Sequence, residues 1–216
     1  MKKYIAELLG SYALVFFGTG AIIISELHPD LVSHGGVGAA FGLVVMGVIF
    51  AFGEISGAHV NPAVTLAFSV AKKFPRKEIV PFIVAQVLGA LLASFTLKFL
   101  VPGTEYLGAT LPSGGVLQSF IMEFILTYFL MIVIINVSTG SKEVGTMAAI
   151  AIGGVVALEA LVMGPICGAS MNPARSIGPA IASGHLEHLW LYIIAPILGA
   201  ILAVFTCSIY KGKECC

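Results

Sequence analysis

Apolar residues run through this chain in six long stretches, which only short polar segments interrupt. We place them at about 4–25, 35–54, 79–101, 115–137, 144–164 and 187–209. Each is close to the roughly 20 residues that an α-helix needs to cross about 30 Å of hydrocarbon. With 58% hydrophobic residues, 10% charged residues and a mean hydropathy of +1.04, the chain has more apolar surface than a soluble 22.5 kDa domain can bury. The pattern predicts an all-α, multi-pass membrane protein in contact with the lipid bilayer.

The basic residues indicate how the spans are oriented. Nine of the eleven lie before the first span, between the second and third, between the fourth and fifth, or after the sixth: Lys2, Lys3, Lys72, Lys73, Arg76, Lys77, Lys142, Lys211 and Lys213. By the positive-inside rule we expect both termini in the cytoplasm, and we expect the cell membrane as the location. Of the two exceptions, Lys98 can snorkel to the outer interface, whereas Arg175 needs a functional explanation.

The tripeptide Asn-Pro-Ala occurs twice, beginning at Asn61 and at Asn172. A shift of about 111 residues aligns 57–63 with 168–174, and a shift of 110 aligns 85–90 with 195–200. At a shift of 116, Glu7 meets Glu123. Three spans per copy is an odd number, so the two copies must have opposite topology. We therefore predict one transmembrane channel domain, residues 1–216, built as an inverted repeat with halves of about 1–110 and 111–216.

Each Asn-Pro-Ala tripeptide is predicted to begin a helix that is too short to cross the membrane. Asn is a favoured N-cap, and Pro is a favoured first helical residue. Segment 61–70 follows the second span and returns to the loop of Lys72 on the same face, so it must be re-entrant; segment 172–181 enters from the other face. The two N-termini should meet near the midplane. The irregular backbone expected at 54–60 and 165–171 must then be buried in protein or line water.

Two facing helix N-termini place about half a positive charge each at one spot, which repels cations. Asn61 and Asn172 would cap their helices through the side-chain oxygen and offer amide N–H donors to a passing molecule. A water molecule held there points its own protons outward, which interrupts a proton-conducting chain. One Asn-Pro is usually a plain helix start, but two at matching repeat positions indicate a pore. His59, in the first re-entrant loop, is expected to form hydrogen bonds in the pore or its cytoplasmic vestibule.

These motifs resemble those of the aquaporin and glycerol-facilitator family over nearly the whole chain. The resemblance rests on Ser-Gly-Ala-His-Val-Asn-Pro-Ala-Val-Thr at 56–65, on Gly-Ala-Ser-Met-Asn-Pro-Ala-Arg-Ser at 168–176 and on Ala-Glu-Leu-Leu-Gly at 6–10. It implies an aquaporin-like fold of six tilted helices and two half-helices, with a pore in each protomer of a homotetramer. It also implies that Glu7 and Glu123 support the re-entrant loops by accepting backbone N–H groups.

The resemblance further implies an outer constriction that selects solutes. By spacing, its positions map onto Phe41, Ala160, Ala169 and Arg175. Channels strict for water have His where this chain has Ala160, so its constriction should be wider, whereas glycerol facilitators have Trp where it has Phe41. Arg175 would replace hydration on one wall and repel cations. A one-residue slip in spacing would bring Glu159 to the constriction instead, but we expect Glu159 to lie off the pore.

The sequence thus predicts a passive channel that conducts water and excludes ions and protons. Small uncharged solutes, namely glycerol, urea, ammonia or metalloid hydroxides, are the expected additional substrates. The alternative is an ion-coupled secondary transporter or an ion channel, because inverted repeats with broken helices also occur there. Coupled transport would need a titratable or cation-binding group at the midplane, where this chain offers two neutral amides.

Other functions have little support in the sequence. The spans contain no cluster of metal ligands and no Ser-His-Asp or paired-carboxylate arrangement, so we expect no enzymatic activity. We expect no cofactor, no metal site and no nucleic-acid partner. The terminal Cys215 and Cys216 are a weak lipidation signal, and we expect a reduced, unmodified tail.

Overall fold

The computed structural model describes residues 1–138 and 142–211, with the backbone alone for 142–146. Lys213, Cys215 and Cys216 lie outside the described residues. Eight α-helices occur in the described part of the chain: α1 (Lys2–Leu27), α2 (His34–Ser56), α3 (Pro62–Val70), α4 (Ile79–Leu100), α5 (Val116–Ser138), α6 (Lys142–Cys167), α7 (Pro173–Ser183) and α8 (Leu189–Tyr210). A single 3₁₀ turn at Arg76–Glu78 leads into α4.

Six of these helices are long and apolar enough to cross a membrane, which confirms the predicted spans. They expose large apolar side chains on their outer surfaces; Phe17 is 59% exposed, Leu43 65% and Phe99 83%. Such exposure is unfavourable in water and ordinary against lipid. The largest difference from the predicted bounds is at α6, which continues through Pro165 to Cys167 although proline usually ends a helix.

The six long helices pack in matching pairs. Helix α1 lies against α4, and α5 lies against α8. Glycine permits both close approaches: a Cβ atom on Gly89 would collide with the carbonyl oxygen of Leu8, and one on Gly199 with that of Phe124. These are positions that the repeat alignment makes equivalent. Helices α2 and α6 pack against each other, and α1 also contacts α2 as α5 contacts α6.

The two short helices, α3 and α7, lie inside the frame formed by the long ones. Helix α3 packs against α8, and α7 packs against α4, so each contacts the long helix of the other half. The irregular runs before them are shorter than predicted, at 57–60 and 168–171, because α2 and α6 extend to Ser56 and Cys167. Gly57 and Gly168 follow these helices with φ of 88° and 86°. This left-handed conformation is one that glycine adopts at little cost at a helix C-terminus.

Candidate functional site

The short helices α3 and α7 each begin at a capping asparagine. The side-chain oxygen of Asn61 accepts the backbone N–H of Ala63 at 2.9 Å. That of Asn172 accepts the N–H groups of Ala174 at 3.0 Å and Arg175 at 3.3 Å. A proline follows each asparagine as the first helical residue. The cap and the proline therefore fix where each short helix begins, and each helix N-terminus has one asparagine side-chain amide beside it.

The amide group of each asparagine donates a hydrogen bond to the loop that precedes the other asparagine, and we call this arrangement the crossed amides. Nδ2 of Asn61 donates to the carbonyl of Met171 at 2.8 Å, and Nδ2 of Asn172 donates to the carbonyl of Val60 at 2.8 Å. An amide nitrogen carries two hydrogens, so each asparagine keeps one N–H for another acceptor. The exchange fixes both amides and joins the two loops, a detail that sequence reasoning missed.

The backbone of both re-entrant loops is strained. Ala58, Val60, Ala169 and Met171 have φ between 40° and 54°, a region that residues with a side chain seldom adopt. Such a conformation costs on the order of 1–3 kcal/mol per residue and persists only where the surroundings impose it. The sequence carries no signal for it, since none of the four is Gly, Asn or Asp.

Glu7 imposes the conformation of the first loop. It is fully buried, and both of its carboxyl oxygens accept hydrogen bonds. Oε1 accepts the backbone N–H of His59 at 2.9 Å and the hydroxyl of Ser56 at 2.7 Å. Oε2 accepts the N–H of Val60 and the amide of Gln86, each at 2.7 Å. One carboxyl group on α1, supported by Gln86 of α4, thus holds Ser56 at the end of α2 and the loop residues His59 and Val60.

Glu123 makes the equivalent contacts in the second loop. It is also fully buried, and it accepts the backbone N–H of Ser170 at 2.7 Å and of Met171 at 2.8 Å. Because Met171 is also the residue whose carbonyl receives the Asn61 amide, Glu123 fixes one side of the crossed pair. The second loop is further closed by Ser170, whose hydroxyl donates to the carbonyl of Asn172 at 3.0 Å.

A cavity of about 530 Å³ passes along the two asparagines. It extends from Ser138, at the end of α5, to Arg175 in the first turn of α7. Its wall contains every residue that the sequence placed at the midplane, in the constriction or in the vestibule: Phe41, His59, Asn61, Ala160, Ala169, Asn172 and Arg175. The remaining wall is mostly aliphatic, with Leu14, Val45, Ile134 and Val156 among its side chains.

Arg175 is one of two charged residues on this cavity wall, the other being Glu54, and it is only 2% exposed. Its Nη1 donates to the carbonyl of Gly108 at 2.8 Å, and its Cζ lies 5.1 Å from the centre of the Phe41 ring. A guanidinium over an aromatic face is a favourable electrostatic contact. Nε is buried without a partner in the described part of the chain. The guanidinium N–H groups that are neither buried nor bonded to Gly108 can donate to a molecule in the cavity. The same molecule would also contact the Phe41 ring, because both residues line the cavity.

Ala160 lies on the cavity, whereas its neighbour Glu159 does not. Glu159 is 7% exposed, and its Oε2 has no hydrogen-bond partner among residues 1–138 and 142–211. Of the two neighbours, Ala160 and not Glu159 therefore lines the cavity.

His59 lies in a cluster of aromatic rings on the side of the cavity opposite Arg175. Its ring stacks on Phe68 with centroids 5.0 Å apart and contacts Phe74 at 4.8 Å. Its Nδ1 lies 3.2 Å from the hydroxyl of Thr65. That hydroxyl also accepts the Gln86 amide at 3.0 Å, which links His59 to the group around Glu7. The imidazole is therefore held in place where the wall meets the first loop.

No group of three or more His, Cys, Asp or Glu side chains that could hold a metal ion occurs in the described residues. The site offers a ligand a small set of hydrogen-bond donors, the two asparagine amides and Arg175, along a wall whose remaining residues are mostly aliphatic. This arrangement suits a small neutral molecule that accepts hydrogen bonds.

Comparisons with known proteins agree on one family. A family model described as "Major intrinsic protein" matches residues 1–207. A protein of Oryza sativa subsp. japonica named aquaporin NIP1-1 is 43% identical over 98% of this chain and 75% of its own length. Nodulin-26 of Glycine max is 42% identical over 99% of this chain and 79% of its own length. The structure of the aquaglyceroporin from Plasmodium falciparum superposes with a TM-score of 0.85 and 26% identity, covering 100% of this chain and 99% of that one.

Proposed function

Because this chain belongs to the major intrinsic protein family and is a channel for water and small uncharged solutes, we propose that its selectivity has two separate determinants. Asn61 and Asn172 exclude protons and other cations at the midplane. Phe41, Ala160, Ala169 and Arg175 set the size and polarity of the solutes that pass. The chain is an integral, multi-pass membrane protein of a family of transporters rather than enzymes, and we propose that it has no catalytic activity.

The midplane proposal is supported by the crossed amides. Each asparagine caps a helix N-terminus with its oxygen and keeps one N–H free, so a water molecule between them meets donors and partial positive charge. A cation there loses hydration and gains no acceptor from either side chain. The comparisons give no support to the alternative of an ion-coupled transporter or ion channel.

The constriction proposal is supported by what faces Arg175 across the cavity. The Phe41 ring packs on the guanidinium of Arg175 and forms an apolar part of the cavity wall. The methyl groups of Ala160 and Ala169 line the cavity beside them. A solute with several hydroxyl or amide groups can bond to Arg175 while its carbon atoms contact Phe41. This is the arrangement that glycerol or urea requires, and Ala160 leaves room that a larger side chain would fill. That the Plasmodium falciparum relative is an aquaglyceroporin agrees with such solutes.

The observation that carries the proposal is the presence of Ala160, rather than a bulky polar residue, on the cavity wall with Phe41 and Arg175. We expect Ala160→His to reduce glycerol and urea fluxes roughly tenfold or more and the water flux much less, because imidazole adds bulk at the proposed constriction. Ala160→Val, which adds two carbon atoms without a polar group, should give a smaller loss. Light scattering of proteoliposomes after solute and osmotic steps measures all three fluxes. Equal losses of water and glycerol would show that Ala160 is not at the constriction.

We also propose an inverted repeat with halves of about 1–110 and 111–216, a homotetrameric assembly, and a cell-membrane location with both termini in the cytoplasm. The matching approaches at Gly89 and Gly199 support the repeat. A groove between α1 and α2 lined by small residues such as Ala40, Gly47 and Ala51 offers room for a neighbouring protomer. Native mass spectrometry in detergent tests the assembly, and a monomer as the stable species would contradict it. Proteolysis of tags at the termini in sealed, oriented vesicles tests the topology.

A further inference from the structure

The carbonyl of Leu161 in α6 has no helical donor. In an α-helix this carbonyl accepts the N–H of the residue four positions later, which here is Pro165 and has none. Helix α6 nevertheless continues to Cys167. The carbonyl of Leu161, directly after Ala160 on the cavity wall, therefore lacks its usual helical partner and can accept a donor from another helix.

His34, at the first position of α2, supplies that donor. Its Nε2 lies 2.6 Å from the carbonyl oxygen of Leu161. A carbonyl only accepts, so the ring nitrogen donates, as it does in the cationic ring and in one neutral tautomer. Gly164 leaves space for the imidazole, since a Cβ atom there would lie 3.2 Å from Cε1 of His34. Pro165 thus leaves the Leu161 carbonyl without a helical donor, and Gly164 leaves space beside that carbonyl. The His34 ring occupies this space and donates to the carbonyl.

This bond joins the two helices that carry the constriction. His34 lies two helical turns before Phe41 on the same face of α2. Between them, Gly38 brings the helices close, because a Cβ atom there would be 3.1 Å from the carbonyl oxygen of Ala157 and 3.2 Å from the nitrogen of Leu161. One face of α2 therefore contacts α6 continuously from its outer end to the level of Phe41.

We propose that His34 is a positioning residue for selectivity: its bond to the Leu161 carbonyl fixes the last turns of α6 against α2 and so sets the distance between Phe41 and Ala160. The proposal rests on the constriction proposed above. Without the bond, the helix beyond Ala160 lacks a hydrogen bond that its own sequence cannot replace. The part of α6 that carries Ala160 can then move away from Phe41. The permeability to larger solutes should rise, whereas the permeability to water should change little because water is smaller than the opening.

Four variants test this role. His34→Phe keeps the ring but removes the donor, and we expect the ratio of glycerol to water permeability to rise about twofold to tenfold, the range that corresponds to losing one hydrogen bond. His34→Gln retains a side-chain N–H at similar reach and should keep the ratio within twofold of the parent. Pro165→Ala restores the helical N–H that Leu161 lacks. The double variant with His34→Phe and Pro165→Ala should therefore have the same ratio as Pro165→Ala alone.

The outcomes separate this proposal from the constriction itself. If Ala160→His changes the ratio and His34→Phe does not, or if Pro165→Ala fails to suppress the effect of His34→Phe, the positioning role is wrong and the constriction stands. If His34→Phe shifts the ratio in a Pro165-dependent way but Ala160→His lowers both fluxes equally, the helix tie stands and the constriction is elsewhere. If His34→Phe does not fold, rescue of folding by Pro165→Ala supports the role, and failure of that rescue while Pro165→Ala folds alone overturns it.

Discussion

Replacing Glu7 by glutamine tests how the first re-entrant loop is held. The change converts one carboxyl oxygen into an NH₂ group at nearly constant volume. Each oxygen of Glu7 now receives two donors: Oε1 those of Ser56 and His59, and Oε2 those of Val60 and Gln86. Whichever way the glutamine amide turns, its NH₂ group faces a backbone N–H of the loop. Two donors then point at each other in a fully buried site.

The cost follows from the number of bonds affected. Hydrogen bonds to charged groups contribute about 1.5–3 kcal/mol each, and a buried N–H left unsatisfied costs about 1–3 kcal/mol. Allowing for rearrangement of the Gln86 amide, we expect Glu7→Gln to lower the free energy of unfolding by about 3–5 kcal/mol. Each oxygen of Glu123 receives one backbone N–H, so Glu123→Gln should cost less, about 2–3 kcal/mol.

Unfolding of the purified protein by increasing SDS in mixed micelles, followed by circular dichroism, measures both variants. Glu187→Gln is the matched control, because Glu187 is exposed in the loop between α7 and α8 and should change stability by less than about 0.5 kcal/mol. We also expect Glu7→Gln to reduce water permeability per folded channel, since His59 and Asn61 follow the loop conformation. A stability of Glu7→Gln equal to that of Glu187→Gln, or a greater loss at position 123 than at position 7, would refute the reasoning.

Three further changes have definite expected outcomes. Gly199→Ala should abolish folded protein in size-exclusion chromatography, because its Cβ would overlap the carbonyl of Phe124, whereas Gly154→Ala, with no atom within 4 Å of that position, should fold normally; equal yields would contradict the packing. Arg175→Val should raise urea permeability severalfold and allow measurable cation leakage in proteoliposomes, and an unchanged cation barrier would show that Arg175 plays no part in exclusion. Tyr192→Phe removes the hydroxyl that donates to the last carbonyl of α6 at 2.7 Å, so it should destabilise the protein by about 1 kcal/mol in SDS titrations without altering permeability, and a permeability loss would assign Tyr192 a role in the pore.

The membrane spans and half-helices could be predicted because their causes are local. Each span is apolar over about the length that the bilayer requires, and each Asn-Pro pair supplies a cap and a first helical residue. The end of α6 could not be predicted in the same way. Proline usually ends a helix, and the donor to the carbonyl that Pro165 leaves without its helical partner comes from His34, 127 positions away in the chain.

Some features of the candidate site could likewise be predicted from the sequence, and others could not. The family resemblance, mapped by spacing from the two asparagines, placed Phe41, Ala160 and Arg175 among the constriction residues. All three line one cavity, although their role in selecting solutes remains a prediction. The left-handed backbone of Val60 and Met171 had no signal, because it is imposed by carboxylates on other helices rather than by the residues themselves. The backbone carbonyls that accept hydrogen bonds from Arg175 and from the two asparagines could not be predicted from the sequence either, because every residue has a carbonyl.

We propose that Asn61, Asn172 and Arg175 together admit neutral molecules and exclude charged ones. The most direct measurement uses one preparation of proteoliposomes for an osmotic step, followed by light scattering, and for an imposed proton or salt gradient, followed by ion flux. We expect water permeability well above that of empty liposomes, with proton and salt fluxes no greater than those of empty liposomes. Water permeability equal to that of empty liposomes, or a conductance carried by protons or salt, would contradict it.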